Sequence, residues 1–137
     1  MKAADRLLDY IHQTPGLGLT LGSSVGSLDI HAYVDASYNC YADSKSHTGV
    51  VIKLGDDSGA FFTMSKKQSI IADSTTVAEF IGTHSCCQKI LWAQNLLVEL
   101  GYHPQVYLHQ DNKSAIQLLK HQGNSGRTKH IAAIQYD

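Results

Sequence analysis

The sequence predicts an α/β fold in which a mixed sheet is made of an antiparallel three-strand meander followed by a helix, a strand and a second helix. Three observations predict it. Leu28, Ile30, Ala32 and Val34 alternate with His31, Tyr33 and Asp35, the period of a strand with one buried face. Two further apolar runs, "TGVVIKL" and "AFFTM", flank "GDDSG", whose composition suits a hairpin turn. From Thr76 to Leu100 the apolar period changes to that of a helix, and the run ends at Gly101 and Pro104.

The elements follow in chain order. Ala4, Leu7, Leu8 and Ile11 recur at helical spacing, "TPG" at Thr14 to Gly16 stops that helix, and "LGSSVGS" reads as a linker. Residues 1–27 are therefore set apart as a helix and linker, and residues 28–137 as the domain. After the three strands of the meander, Val77, Phe80, Ile81, Ile90, Leu91 and Leu97 mark the long helix, with Trp92 expected in the core. "QVYLHQ" reads as the fourth strand, "NKSAIQLLKH" as the next helix and "GNSGRTKH" as a basic loop. Strands that are followed by helices in this way form a layered α/β or α+β domain.

Composition bounds the function. The chain has 137 residues, 43% hydrophobic and 17% charged, enough for one core without disulfide or metal staples. No apolar run approaches the roughly 20 residues of a membrane-spanning helix, and "MKAADRLLDYIHQTPG" is too polar for a signal peptide, so an intracellular protein with no membrane partner is expected. Cys40, Cys86 and Cys87 spell neither a disulfide framework nor a Cys-x-x-Cys metal site, and reduced thiols are expected. A formal net charge of −1 supplies no broad positive field, so weak affinity of the isolated chain for nucleic acid is expected, with a partner holding the duplex. The eight histidines form no His-Glu-x-x-His or Cys/His cluster, and no phosphate-binding glycine motif or nucleophile elbow occurs.

Three carboxylates carry the chemistry. Each also has a purely structural explanation: Asp35 as a turn residue, Glu79 as the glutamate of a capping box in "TVAE", and Asp111 as an N-cap. Together they form a pattern. Tyr33-x-Asp35 and Tyr107-x-His109-x-Asp111 bring two aspartates to matching parity on strand-like runs, and Glu79 opens the helix that packs on them. Converging carboxylates repel unless cations neutralise them, and hard oxygen donors suit Mg²⁺ or Mn²⁺. Such a site supports phosphoryl chemistry with two ions.

These residues resemble the ribonuclease H domain of copia-type LTR retrotransposon (reverse transcriptase) polyproteins. "AYVDASYNCYADSKSHTGVVIKLG", "SKKQSIIADSTTVAEF", "VYLHQDNKSAIQL" and "RTKHI" stand in that family's order and spacing, and "AADRLLDYIHQTPGLGLTL" is similar to its tether to reverse transcriptase. The resemblance implies a ribonuclease H-like fold and cleavage of the RNA strand of RNA–DNA hybrids during reverse transcription. It also implies two Mg²⁺ ions, replaceable by Mn²⁺, held by the catalytic residues Asp35, Glu79 and Asp111, with Asp35 shared between them. The implied partner is the reverse transcriptase domain of the same polyprotein, and the implied location a cytoplasmic virus-like particle. The family's fold continues into a fifth strand and a closing helix bearing a fourth acid, whereas this chain stops at "HIAAIQYD". The expectation is therefore a C-terminally truncated domain, without that strand and helix, of weak or no activity.

Contacts to nucleic acid are expected from Lys66, Lys67, Arg127, Lys129 and His130 through charge, and from Ser37, Gln68 and Asn112 through neutral hydrogen bonds. Two rival readings remain at this point. One is a degenerate or domesticated module that binds nucleic acid or protein without cleaving. The other is an integrase-like or resolvase-like DNA nuclease, which a preference for hybrids with 2′-hydroxyls would exclude.

Overall fold

A computed structural model describes residues 2–22, 28–122 and 133–136. In chain order the elements are α1 (Lys2–Gln13), β1 (Ile30–Ser37), β2 (His47–Leu54), β3 (Ala60–Lys67), α2 (Thr75–Glu99), β4 (Val106–Gln110), α3 (Lys113–Gln122) and β5 (Ala133–Tyr136). The strands form one sheet in the order β3-β2-β1-β4-β5. β1, β2 and β3 pair antiparallel, while β4 lies parallel to β1 and β5 parallel to β4. The expected meander and mixed sheet are present.

One expectation is corrected. The fifth strand, expected to be missing, is supplied by Ala133–Tyr136, which pairs with Tyr107–Gln110. "AAIQY" offers too short a run to announce a strand by periodicity, and only a parallel partner already in place makes it one.

Alternation in β1 buries Ile30, Ala32 and Val34 against α2 and turns His31, Tyr33 and Asp35 to the opposite face. Val50 and Ile52 of β2, Val106 and Leu108 of β4, and Cys86, Ile90, Ala93 and Leu97 of α2 complete the core. Each large aliphatic buried there contributes about 1.5–3 kcal/mol relative to exposure. Helix α2 sits close to the sheet because residue 82 is glycine. A Cβ there would lie 3.2 Å from Thr48 Cγ2 and 3.4 Å from Val34 Cγ2. The helix ends in a Schellman turn: Gly101, at φ +89°, donates to Val98 O, and Tyr102 donates to Leu97 O.

Trp92 departs from expectation. It is 57% exposed: α2 turns Ala78, Gly82, Cys86, Ile90, Ala93 and Leu97 to the sheet, and Val77, Trp92 and Leu96 fall on its other faces. The β2–β3 turn has Gly55 at φ +75°, a conformation that favours glycine. Helix α1 buries none of its residues. Among the described residues no helix is long and apolar enough to cross a membrane.

Candidate metal centre and nucleic-acid interface

β1 and β4 run parallel with Tyr33 opposite His109. Two residues further along each strand direction stand Asp35 and Asp111, both exposed. Glu79 enters from above, in the second turn of α2, and is 6% exposed. One carboxylate oxygen from each of the three lies within 4.8 Å of the others. An all-oxygen donor set this close suits a hard divalent cation, and among the described residues these three side chains could hold one.

The structural explanations for two of the acids are taken up by their neighbours. Ser74 is the N-cap of α2, its hydroxyl accepting from Val77 N–H, so Glu79 has no capping role. Asn112 caps α3, its Oδ1 accepting from Ala115 N–H, which leaves Asp111 outside the cap. Asp35 does not turn the chain either, since β1 continues past it to Ser37.

Glu79 is held from two sides. Ala36 N–H donates to Oε1 at 3.1 Å and Gln110 Nε2 donates to Oε2 at 3.2 Å. Gln110 is fixed in turn, donating to Thr83 Oγ1 at 3.1 Å and accepting from Asn112 N–H at 3.1 Å. Burial pushes the Glu79 carboxyl above the ordinary glutamate range. The hydrogen bonds from Gln110 and Ala36 oppose that shift, and the charges of Asp35 and Asp111 add to it. Gln110 was not among the residues expected at the site. Its signal was a polar residue in phase with the inward-facing Val106 and Leu108, immediately before Asp111.

The expected nucleic-acid contacts divide. Ser37 and Lys66 are exposed near the end of the sheet that bears the carboxylates. Lys67 is exposed, with Nζ 2.8 Å from Asp43 Oδ2 and 4.5 Å from the centre of the Tyr41 ring. Gln68 is corrected: it is 5% exposed, and its Nε2 donates to Thr48 Oγ1 and Ala78 O, clamping the β3–α2 connection to the core. Asn112 spends its side-chain oxygen on the α3 cap. Arg127, Lys129 and His130 lie outside the described residues. On the outer sheet face Tyr33 stacks on His109 with ring centres 4.2 Å apart, and His31 stacks on Tyr107 at 4.9 Å.

No family model matches the sequence. Among known proteins the chain is 36% identical over 132 residues to the retrovirus-related Pol polyprotein from transposon TNT 1-94 of Nicotiana tabacum, a match covering 95% of this chain and 10% of that protein. It is 34% identical to the corresponding polyprotein from transposon RE2 of Arabidopsis thaliana, covering 95% of this chain and 9% of the relative. The chain thus spans about a tenth of the length of the curated relatives it matches. Among solved structures it is similar to LC11-RNase H1 in complex with RNA/DNA hybrid, with a TM-score of 0.53 and 13% identity, covering 80% of this chain and 83% of that one. It is also similar to the RNase H domain of PFV, with a TM-score of 0.51 and 16% identity over 84% of this chain and 82% of that one. At such identities the structural likeness establishes the fold. The chain is a domain of ribonuclease H fold whose sequence matches one segment of copia-type retrotransposon Pol polyproteins.

Proposed function

We propose that the chain is a divalent-metal-dependent endonuclease that cleaves the RNA strand of RNA–DNA hybrids during retrotransposon reverse transcription, working beside the reverse transcriptase of its polyprotein. The observation that carries this reading is the convergence of Asp35, Glu79 and Asp111 to within 4.8 Å on a ribonuclease H fold. An RNA/DNA hybrid is the ligand of one structural neighbour, and Pol polyproteins are the sequence relatives.

Asp35, Glu79 and Asp111 would hold the metal. Two Mg²⁺ or Mn²⁺ ions bound there would supply Lewis acidity, lowering the pKa of the attacking water and stabilising the departing 3′ oxygen. The protein's contribution is placement. Ala36 N–H and Gln110 orient the Glu79 carboxylate from behind, and the two exposed aspartates face the side on which a duplex can lie. An intracellular site of action, in a virus-like particle, follows from the same reading.

The test is cleavage of a strand-labelled RNA–DNA hybrid with Mg²⁺ or Mn²⁺, beside Asp35→Asn and a DNA duplex control. Cleavage of the RNA strand alone, lost in Asp35→Asn, is expected. A folded chain that binds hybrid and cuts nothing would instead favour a non-cleaving module, and cutting of the DNA duplex would favour a DNA nuclease.

A further inference from the structure

Ser58 and Gly59, just ahead of β3, hold the segment that follows α1. Gly59 N–H donates to Thr20 O at 2.8 Å, and Gly22 N–H donates to Ser58 Oγ at 3.1 Å. Beside these bonds the Leu19 side chain lies over Gly59.

This contact accounts for the glycine. The φ of Gly59 lies outside the left-handed region, so the backbone there does not itself demand glycine. An added Cβ, however, would stand 2.8 Å from Leu19 Cγ and 2.8 Å from Thr20 O, closer than side chains approach. Thr20 O belongs to the backbone and cannot be rotated aside. Glycine at the edge of a strand admits the close approach of another backbone, and here the backbone admitted is that of Thr20.

The path from this seat back to α1 is also tied down. Thr14 closes the helix, its N–H and its Oγ1 both donating to Tyr10 O. Thr14 O then accepts from Leu17 N–H at 3.1 Å, a β-turn with Pro15 at its second position, where the ring sets φ. At the other side of the seat Gly22 has φ +102°, which favours glycine. Helix α1 buries none of its own residues, so these joints are what decide where it stands. The seat lies at the Ile30 end of β1, because Ile30 pairs with Leu54 at the β2–β3 turn, whereas Asp35 pairs with Gly49. About five residues of strand, or ~17 Å, separate the two levels.

We propose that Leu17–Gly22 is a strap and not a flexible linker: seated on Ser58 and Gly59, it holds α1 at the end of the sheet opposite Asp35, Glu79 and Asp111. One consequence rests on the hybrid-cleaving reading above. A reverse transcriptase joined through α1 would then stand at that end, and the strap would set its distance from the metal centre. The strap itself does not depend on that reading.

The experiment measures the distance between nitroxides on the exposed Cys40 and on His12→Cys by pulsed electron paramagnetic resonance, with Cys87→Ser to keep label off α2. Three proteins are compared: this parent, and the parent with Leu19→Asp or with Gly59→Val. The parent is expected to give one narrow distance distribution. Each further substitution should broaden it about twofold or more, as a free linker of this length would. Exchange of the Gly59 amide, followed by NMR, should be about fivefold faster in Leu19→Asp than in the parent, the value of one hydrogen bond. Melting curves verify folding, and should Gly59→Val fail to fold, Leu19→Asp decides by itself. The inference is overturned if the distributions are equally broad, since residues 14–22 are then a flexible linker. It is also overturned if they are equally narrow, since something other than this seat then fixes α1. Neither result bears on cleavage at the metal centre, so the strap and the hybrid-cleaving reading fail separately.

Discussion

Replacing Gln110 by leucine removes the donor that faces Glu79 and changes little in size. Three hydrogen bonds go with it: to Glu79 Oε2, to Thr83 Oγ1, and from Asn112 N–H. The bond to an ionised carboxylate is worth about 1.5–3 kcal/mol and the neutral ones about 1 kcal/mol each, offset in part by a more apolar side chain in the core. A net loss of about 3 kcal/mol is expected, or roughly 10 °C in Tm. The effect on the site is separate. Gln110 is the strongest influence holding the Glu79 carboxyl down against its burial, so its removal moves that carboxyl further up. A proton then competes with metal for Glu79 over a wider pH range. Loss of such an orienting partner typically lowers metal affinity 10–100-fold. Calorimetric titration with Mn²⁺ should show this drop, larger at pH 6 than at pH 8, in protein whose folding is verified by circular dichroism. An unchanged Mn²⁺ affinity and pH dependence would refute the claim that Gln110 orients Glu79, whatever happened to Tm.

Three further outcomes test the rest of the site. In metal-free protein at low salt, Asp35→Asn should raise stability by about 1 kcal/mol by relieving repulsion from Asp111 and Glu79, and the same change should abolish Mn²⁺ binding; a fall in Tm would give Asp35 a structural role. Metal-free stability of the wild type should decline as pH rises through the interval between the ordinary glutamate value and the raised Glu79 value. The sign follows because a carboxyl with a raised folded pKa favours the native state while protonated, and loses that contribution once it must ionise in place. Chemical denaturation across that interval checks it against Glu79→Gln, whose curve should lack the decline. Cys86, buried and pushed up to about 12, should resist alkylation until global unfolding, whereas the exposed Cys40 should react at once, as peptide mass spectrometry will show.

How much could be read from the sequence depended on whether a signal was local. Period-two alternation around Ile30 to Val34, and the turn composition of Gly55 to Gly59, were sufficient to place the meander, since both are properties of neighbouring residues. The parity of Asp35 and Asp111 was legible for the same reason. What failed were assignments needing knowledge of the partner. The Ala133–Tyr136 strand exists through its pairing with β4, and Trp92 lies outside the core because it falls off the face of α2 that carries Cys86, Ile90 and Leu97 to the sheet. Gln68 looked like a surface glutamine in a lysine-rich stretch, yet it is the residue that turns inward to reach Ala78 O. Among the supporting groups, Gln110 and Ala36 N–H became visible only once β1, β4 and α2 had been brought together.

The carboxylates can be separated from ordinary structural residues by asking what folding would lose without them. Capping of α2 is done by Ser74 and capping of α3 by Asn112, so neither helix needs Glu79 or Asp111. Glu79 is buried, and two hydrogen bonds compensate that burial only in part, as its raised carboxyl shows. Asp35 and Asp111 make this worse, since each adds a negative charge to the same small volume. A glutamine at 79 would keep much of the packing without the charge. The proposed cation site accounts for a fold that gathers three acids and surrounds the least exposed of them with donors suited to its ionised form, where stability alone gives no reason for it. The stability gain expected for metal-free Asp35→Asn and the loss of Mn²⁺ binding in that same variant are two sides of this arrangement, and they must appear together for it to be right.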